Sequence, residues 1–407
     1  MEIFDLAVVG GGAAGLAALK QLSDLGKQAV LLEAGPRIGS KNISGGLLYS
    51  KRSKNKRIYN VEDIYGPDFE SSAPLERRIT KYVLHATSGN RIFGIDLTDL
   101  HEYNTNFAYS VLMNKLTSWF GVLASESAER QGGGIVCGVH VKDITWTPDD
   151  KTIIQTDELD EFQVKAIIAA DGVNSEIAYF TGAREKFSPN DVYQGVKVVV
   201  KLPEDIIDQR FGINSSDGAA HLFAGDITLN HIGGGFLYTN RDTLSLGAVY
   251  HYDSLISNPA EPSVLVDTII RNPFVSELIK DEVAKVEIDK ELSKEEQFKR
   301  WLTATKLLKT YEDLRYSYYS PSRRANLIDV GKYKSVEDIK NKLESIKQQL
   351  GEKYNASFAS NYVELEYSAK LVPDGKRCRM RKPYRKNILF IGDAAGRGIF
   401  VGPRIEG

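Results

Sequence analysis

A glycine turn wedged between an apolar strand and an apolar helix constrains this chain more than anything else in it. Leu6-Ala7-Val8-Val9 runs directly into Gly10-Gly11-Gly12-Ala13-Ala14-Gly15. A short apolar run of this kind predicts a strand buried on both faces. Leu16, Leu19, Leu22 and Leu25 then recur at three-residue spacing, as in a helix that Gly26 stops. A second buried strand, Ala29-Val30-Leu31-Leu32, ends in Glu33. Each position has a mechanical reason. Gly10 permits the tight turn, Gly12 lets the backbone approach a pyrophosphate, and Gly15 lets the helix pack close to the strand. The helix N-terminus presents free N–H groups and a positive dipole end to the phosphates. Glu33 stands where an acid accepts hydrogen bonds from a ribose, which disfavours a 2′-phosphate and so NADP.

The turn alone does not choose between FAD and NAD, but two distant segments do. Ala166-Ile167-Ile168-Ala169-Ala170 reads as a buried strand ending in Asp171-Gly172, followed by Asn174-Ser175. Asn387-Ile388-Leu389-Phe390-Ile391 leads into Gly392-Asp393-Ala394-Ala395-Gly396. Both are strand ends followed by Gly, Asp and small residues, which let a backbone and one carboxylate reach a ligand.

Together the three segments resemble the flavoprotein group that contains aromatic hydroxylases, geranylgeranyl reductases and electron-transfer flavoprotein–quinone oxidoreductases. The resemblance implies FAD as cofactor, with Gly392-Asp393 at the ribityl chain and pyrophosphate and Asp171-Gly172 beside the pyrophosphate. Gly39-Ser40-Lys41-Asn42-Ile43-Ser44-Gly45-Gly46 resembles the segment that passes under the flavin in the FixC branch of the quinone oxidoreductases. Gly233-Gly234-Gly235-Phe236-Leu237-Tyr238 and Glu366-Tyr367 to Leu371-Val372-Pro373 resemble the same branch. The expected cofactor set is thus Gly10, Gly12, Ala13, Ala14, Gly15, Glu33, Ala34, Lys41, Ser44, Gly45, Gly46, Val141, Asp171, Gly172, Gly392 and Asp393. The loop from Gly233 to Tyr238 is the expected acceptor-facing wall, with Gly235, Phe236 and Tyr238 as its substrate residues. No acid–base residue is assigned.

The chain departs from the group in places. A Tyr-x-Trp-x-Phe-Pro pattern typical of geranylgeranyl reductases is missing. Met113 stands where many relatives have an FAD-contacting arginine. Two cysteines, Cys137 and Cys378, are too few for the iron–sulfur cluster of the membrane-bound quinone oxidoreductases. The shorter FixC type, which works with a separate ferredoxin-like partner, fits better. The sequence stops at Gly402-Pro403-Arg404-Ile405-Glu406-Gly407, where relatives begin a helix aimed at the flavin, and truncation is the favoured reading.

The expected architecture is α/β. A Rossmann-like FAD-binding domain is formed by residues 1–75, 100–186 and 372–407, and a mixed or antiparallel-sheet substrate domain by 76–99, 187–288 and 362–371. Residues 195–202 and 243–251 are expected as half-buried, alternating strands lying over the flavin. A helical insertion spans 289–361. In it, Ser293-Lys294-Glu295-Glu296 reads as a capping box. Ser335 opens a second helix with Val336, Ile339, Leu343, Ile346 and Leu350 on one face and Gly351 as its stop, packed on the sheet edge.

A net charge of -2 over 407 residues supplies no strong field for nucleic acid or an anionic membrane. Two basic runs, Lys51 to Arg57 and Lys376 to Lys386, read first as solvated faces. Contact with an acidic redox partner or with lipid headgroups is the sharper reading, and aromatic interleaving is too thin for nucleic acid. No run is long and apolar enough to span a membrane, and the N-terminus lacks a signal-peptide pattern. The expectation is a cytoplasmic protein with reduced cysteines, in which a peripheral contact with the inner face of a membrane remains open. The six histidines show no metal-ligand spacing, and no serine elbow or hydrolytic acid pair is found. The leading expectation is electron transfer from an electron-transfer flavoprotein or ferredoxin-like donor, through FAD, to a quinone. Reduction of isoprenoid double bonds and a non-catalytic binding protein on the same fold are the alternatives.

Overall fold

The computed structural model describes residues 3–41, 45–51, 61–89, 91–148, 151–287 and 291–396. Two large sheets carry the fold. The first places Ile3–Val9 at its centre, parallel to Ala29–Glu33 on one side and to Phe162–Ala169 on the other. Gly134–Cys137 and Ile388–Phe390 extend it in parallel at the two flanks. The helix Ala13–Asp24 makes the crossover between the first two strands. Lys27 N donates to Leu22 O and Gly26 N to Ser23 O while Gly26 takes φ +75°, so Gly26 ends that helix as expected. Leu16 and Leu19 bury against Val8, Leu31, Phe120 and Ala124 on one face of the sheet. The other face is covered by Val141, Ile144 and Ile154 of an antiparallel hairpin and by Ile177. With both faces covered, the strands can be apolar throughout.

Among the described residues the second sheet has nine strands, and its order runs Val363–Pro373, Val192–Lys201, Thr243–His251, Gly233–Thr239, Asp217–Gly225, Leu75–Ser88, Thr105–Leu112 and Gly45–Lys51, with Arg91–Asp96 pairing to Leu75–Ser88. It is mixed, because Asp217–Gly225 runs parallel to Leu75–Ser88 while the other pairs are antiparallel. Helices Glu204–Phe211, Tyr252–Ser257, Pro262–Arg271 and Pro273–Ile279 pack on one face through Ile207, Leu255, Ile269 and Ile279.

Three sequence expectations change here. The strands over 192–201 and 243–251 are not half-buried: Val196 to Val200 are all buried, on both faces of the sheet. Gly45–Lys51 and Thr105–Leu112 fall in stretches expected for the first domain, yet they pair into the second sheet. Residues 233–239 form an internal strand rather than a loop, hydrogen-bonded on both edges.

The insertion is a helical layer. Lys294–Tyr318 starts with the expected box: Glu296 N donates to Ser293 Oγ at 3.3 Å and Ser293 N donates to Glu296 Oε2 at 3.2 Å. Val336–Tyr354 buries Ile339, Leu343, Ile346 and Leu350 as expected, but against Tyr311 and Leu314 of the first helix and Phe358 of a two-stranded ribbon, not against an edge of a large sheet. Val336 stays exposed. Gly351 does not stop this helix; it continues to Tyr354, and Asn355 ends it in the left-handed region at φ +51°. Among the described residues no helix is long and apolar enough to cross a membrane.

Candidate functional site

Backbone packing around the glycine turn brings the three distant segments together. Gly10 adopts φ +105°, and a Cβ on it would stand 2.3 Å from Ala170 O, at the end of the Phe162–Ala169 strand. A Cβ on Gly15 would stand 1.9 Å from Gly10 O, so the helix closes directly onto the turn. Gly392 approaches from the C-terminal segment, where a Cβ would lie 2.8 Å from the Ala14 Cβ. Gly10, Ala14, Gly15, Ala170 and Gly392 thus meet at one helix N-terminus. Gly12 caps that helix without any side-chain hydrogen bond, and a Cβ on Gly12 would meet nothing within 4 Å. The first-turn N–H groups, the dipole and this open space fit a pyrophosphate. Ala13 is exposed at the rim.

Glu33 is held in place by the same turn. Its carboxylate accepts from Gly11 N at 2.7 Å and from Gly35 N at 2.5 Å. Two further lone-pair directions on a carboxylate remain for ribose hydroxyls. Lys41 Nζ lies 3.9 Å away and is well exposed, and Ala34 is exposed beside it. Val141 begins a strand, and its side chain is buried in the sheet core. Gly45 and Gly46 open the strand that pairs with Leu112 and Val111, with free space above Gly46. Ser44, the run Arg52 to Arg57, and the chain after Gly396 lie outside the described residues.

The two aspartates differ. Asp171 accepts from Ser175 Oγ at 2.8 Å and from Ile177 N at 3.2 Å, so its carboxylate ties down the short helix that follows. Burial raises its pKa, and those hydrogen bonds oppose the rise. Gly172 takes φ +86° with open space around it. Asp393 sits in the turn Gly392–Ala395, where burial raises its pKa and the charge of Lys370 opposes this. Of the two, Asp393 has the freer carboxylate.

Lys370 belongs to the second sheet, and it fixes which face of that sheet meets the cradle. In the ladder, Gly195, Lys197 and Val199 lie opposite Lys370, Ser368 and Glu366. Lys197 also lies opposite Gly247, which lies opposite Phe236. Directly opposed residues share a face. Glu366 accepts from Asn114 Nδ2 at 3.3 Å, at the start of the helix Met113–Glu129 that packs on Ala13–Asp24. The face bearing Lys197, Phe236 and Tyr238 therefore turns toward the glycine cradle. Phe236 and Tyr238 stack at 5.0 Å between ring centroids and are half-buried. Gly235 is on the other face, where a Cβ would come within 3.2 Å of Ile269 Cδ1 in the helical layer. Of the three expected substrate residues, Phe236 and Tyr238 lie on the face turned toward the cradle and Gly235 does not, because alternation along a strand sends it the other way.

Sequence reading missed Lys197 altogether. It is 5% exposed, its Nζ has no hydrogen-bond partner among the described residues, and burial pulls its pKa down to about 7 against the pull of Glu366. Its one signal was a charge set inside Val196-Lys197-Val198-Val199-Val200. Both cysteines are free thiols, as expected. Among the described residues no His/Cys/Asp/Glu cluster could hold a metal ion.

Comparisons with known proteins place the chain among relatives and folds. A family model described as an NAD(P)-binding Rossmann-like domain matches residues 8–68. Protein FixC of Escherichia coli (strain K12) is 37% identical over 249 residues, which is 61% of this chain and 55% of that protein. The probable electron transfer flavoprotein-quinone oxidoreductase YdiS of the same strain is 34% identical over 60% of this chain and 54% of its own length. Protein FixC of Rhizobium meliloti (strain 1021) is 31% identical over 65% of this chain and 59% of its own length. The chain is a relative of these proteins and spans little more than half the length of each. A geranylgeranyl bacteriochlorophyll reductase-like protein from Thermoplasma acidophilum superposes with a TM-score of 0.58 at 13% identity, over 97% of this chain and 72% of that one. A flavoprotein/dehydrogenase from Cytophaga hutchinsonii gives a TM-score of 0.51 at 12% identity, over 96% of this chain and 71% of that one. At such identities the likeness concerns the fold alone.

Proposed function

We propose that this relative of the FixC proteins is an FAD-dependent oxidoreductase of electron transfer, taking electrons from a flavoprotein or ferredoxin-like donor and delivering them to a quinone. The observation that carries the reading is the convergence of Gly10, Gly15, Ala170 and Gly392 on one uncapped helix N-terminus, with the Glu33 carboxylate fixed beside it. Bound FAD would supply the capacity to accept and release electrons singly or in pairs. The residues of the chain hold and orient it. The N–H groups after Gly12 take the pyrophosphate, Glu33 takes a ribose, and Asp393 with Gly392 takes the ribityl side. Asp171 and Gly172 shape the strand end beside the phosphates. Gly45, Gly46 and Lys41 border the open side of the cleft. In this reading the sheet that carries Phe236 and Tyr238 closes the cleft from above and excludes water from the acceptor site. The helical layer between 291 and 361 and the basic run from Lys376 to Lys386 are then free to serve donor docking.

The test is an absorbance spectrum of the purified chain, before and after anaerobic addition of a low-potential donor and then of a short-chain quinone. The expected result is a flavin spectrum that bleaches with the donor and returns with the quinone. A flavin spectrum that bleaches and never returns with any quinone overturns the quinone assignment. Saturation of a geranylgeranyl lipid under the same conditions would transfer the reading to isoprenoid reduction. A colourless protein that cannot be reconstituted with FAD would make it a binding protein.

A further inference from the structure

Lys197 is a side chain that neither the fold nor the cofactor cradle accounts for. It sits mid-strand in Val192–Lys201, where its neighbours Val196 and Val198 point into the helical layer and it points the other way. An ammonium taken out of water without a partner costs several kcal/mol, and buried polar groups in native proteins normally have partners. The neighbouring polar groups among the described residues do not take up its Nζ. Ser368 and Gly247 lie directly opposite in the ladder, and neither bonds to it. Glu366, one step along the same face, acts on it only through its charge, while one of its oxygens accepts from Asn114.

The surroundings of the Lys197 side chain are small and apolar, and they suit a flat, apolar ligand. Gly195 and Gly247 flank Lys197 on this face and carry no side chains. The ring of Phe236 fills the place above Gly247, 2.9 Å from where a Cβ would be, and Tyr238 stacks on Phe236. A flat, uncharged molecule lying on this aromatic shelf would be oriented by a hydrogen-bond donor, and Lys197 Nζ is a donor there that no group among the described residues takes up.

We propose that Lys197 is the orienting residue of the acceptor site: its Nζ donates a hydrogen bond to a carbonyl oxygen of a flat, apolar acceptor resting on Phe236 and Tyr238. This rests on the quinone reading of the same cleft. It adds which residue binds the acceptor and through which atom. A carbonyl suits the site better than a carboxylate, because Glu366 already balances the charge on this face, and the favoured charge state of so buried an amine is finely poised.

The experiment compares the FAD-loaded protein with its Lys197→Met and Lys197→Gln variants, using a short-chain quinone and, separately, ferricyanide as acceptor. Met fills the volume without a donor, and Gln restores a donor. The expected result for Lys197→Met is a KM for the quinone raised about tenfold or more, the size of one lost hydrogen bond to a charged group. Ferricyanide, which has no carbonyl, should be reduced as fast as by the unaltered protein, and Lys197→Gln should recover part of the quinone KM. An unchanged quinone KM in Lys197→Met overturns the proposal. So does a parallel loss with ferricyanide or a loss of bound FAD, either of which would assign Lys197 to the cofactor or to the fold. If the unaltered protein reduces ferricyanide and no quinone, it is the functional reading that fails.

Discussion

The two walls of the cleft are built by opposite means. The cradle wall is made by removing side chains: Gly10, Gly15 and Gly392 stand where any Cβ would strike backbone or a neighbouring methyl within 2.8 Å. The sheet wall is made by adding them: a stacked Phe236–Tyr238 pair and a buried amine at Lys197, set between residues that are small. A wall of backbone has few ways to vary, because its tolerances are those of close-packed main chain. A wall of side chains can keep its strands and exchange its chemistry, which is how one architecture serves many reactions.

The comparison can be broken most forcefully at the helix–strand contact. In Gly15→Val the new side chain begins 1.9 Å from Gly10 O, so the helix and turn must separate. The expected outcome is a loss of about 4 kcal/mol or more in urea unfolding, together with loss of bound FAD. If this variant folds with normal stability, the cradle wall is not the rigid one.

The sheet should show the contrary sensitivity, to protons. His85 and His221 are stacked and buried beside Phe223 and Phe274, with Nε2 of one 2.8 Å from Nδ1 of the other. Burial pulls His85 down to about 4 and His221 to about 3, from an ordinary 6.5. In the unfolded chain these rings take up protons below about 6.5, while in the folded chain they resist until far lower pH. The stabilisation is therefore fully present above pH 6.5 and is lost as the pH falls, toward about 4 for His85 and about 3 for His221. The slope is about 1.4 kcal/mol per pH unit for each ring that titrates only on unfolding. Urea unfolding at pH 7, 6 and 5 should show this decline, and His221→Gln should flatten it. A decline of equal slope in that variant would place the proton uptake elsewhere.

The smallest effect separates folding from binding within the cradle. Gly12 has an extended backbone, and a Cβ there meets only open space, so Gly12→Ala should keep its melting temperature within a degree or two. The methyl group would stand where the pyrophosphate is expected, so FAD affinity should fall about tenfold, near 1.4 kcal/mol. Titration of FAD into the apoprotein reads this directly. Undiminished affinity would move the phosphates away from Gly12.

The legibility of the two walls differed for the same reason. Gly10, Gly12, Gly15 and Glu33 could be read from spacing alone, because a turn, a helix start and a strand end are local and leave a fixed interval in the chain. The Asp171 and Gly392 segments were legible as strand ends but only by resemblance as parts of one site. The capping box at Ser293 was local too, and it formed as written. Gly351 misled because glycine stops a helix only when something else also stops it, and the buried stripe of the helix continues through Leu350 toward Tyr354.

What the sequence determined by itself was the βαβ unit, its dinucleotide cradle and two of the helices of the insertion, all set by short-range periodicity and glycine placement. What only the tertiary structure decided was the second wall. Phe236 turns toward the cleft and Gly235 away because the ladder fixes the register, and a shift of one residue would exchange them. Lys197 gains its meaning only from pairing with Gly247 and Ser368, residues 50 and 171 positions away in the chain. Which face a strand shows, and what covers it, is a property of its neighbours, and those neighbours are chosen by packing at long range.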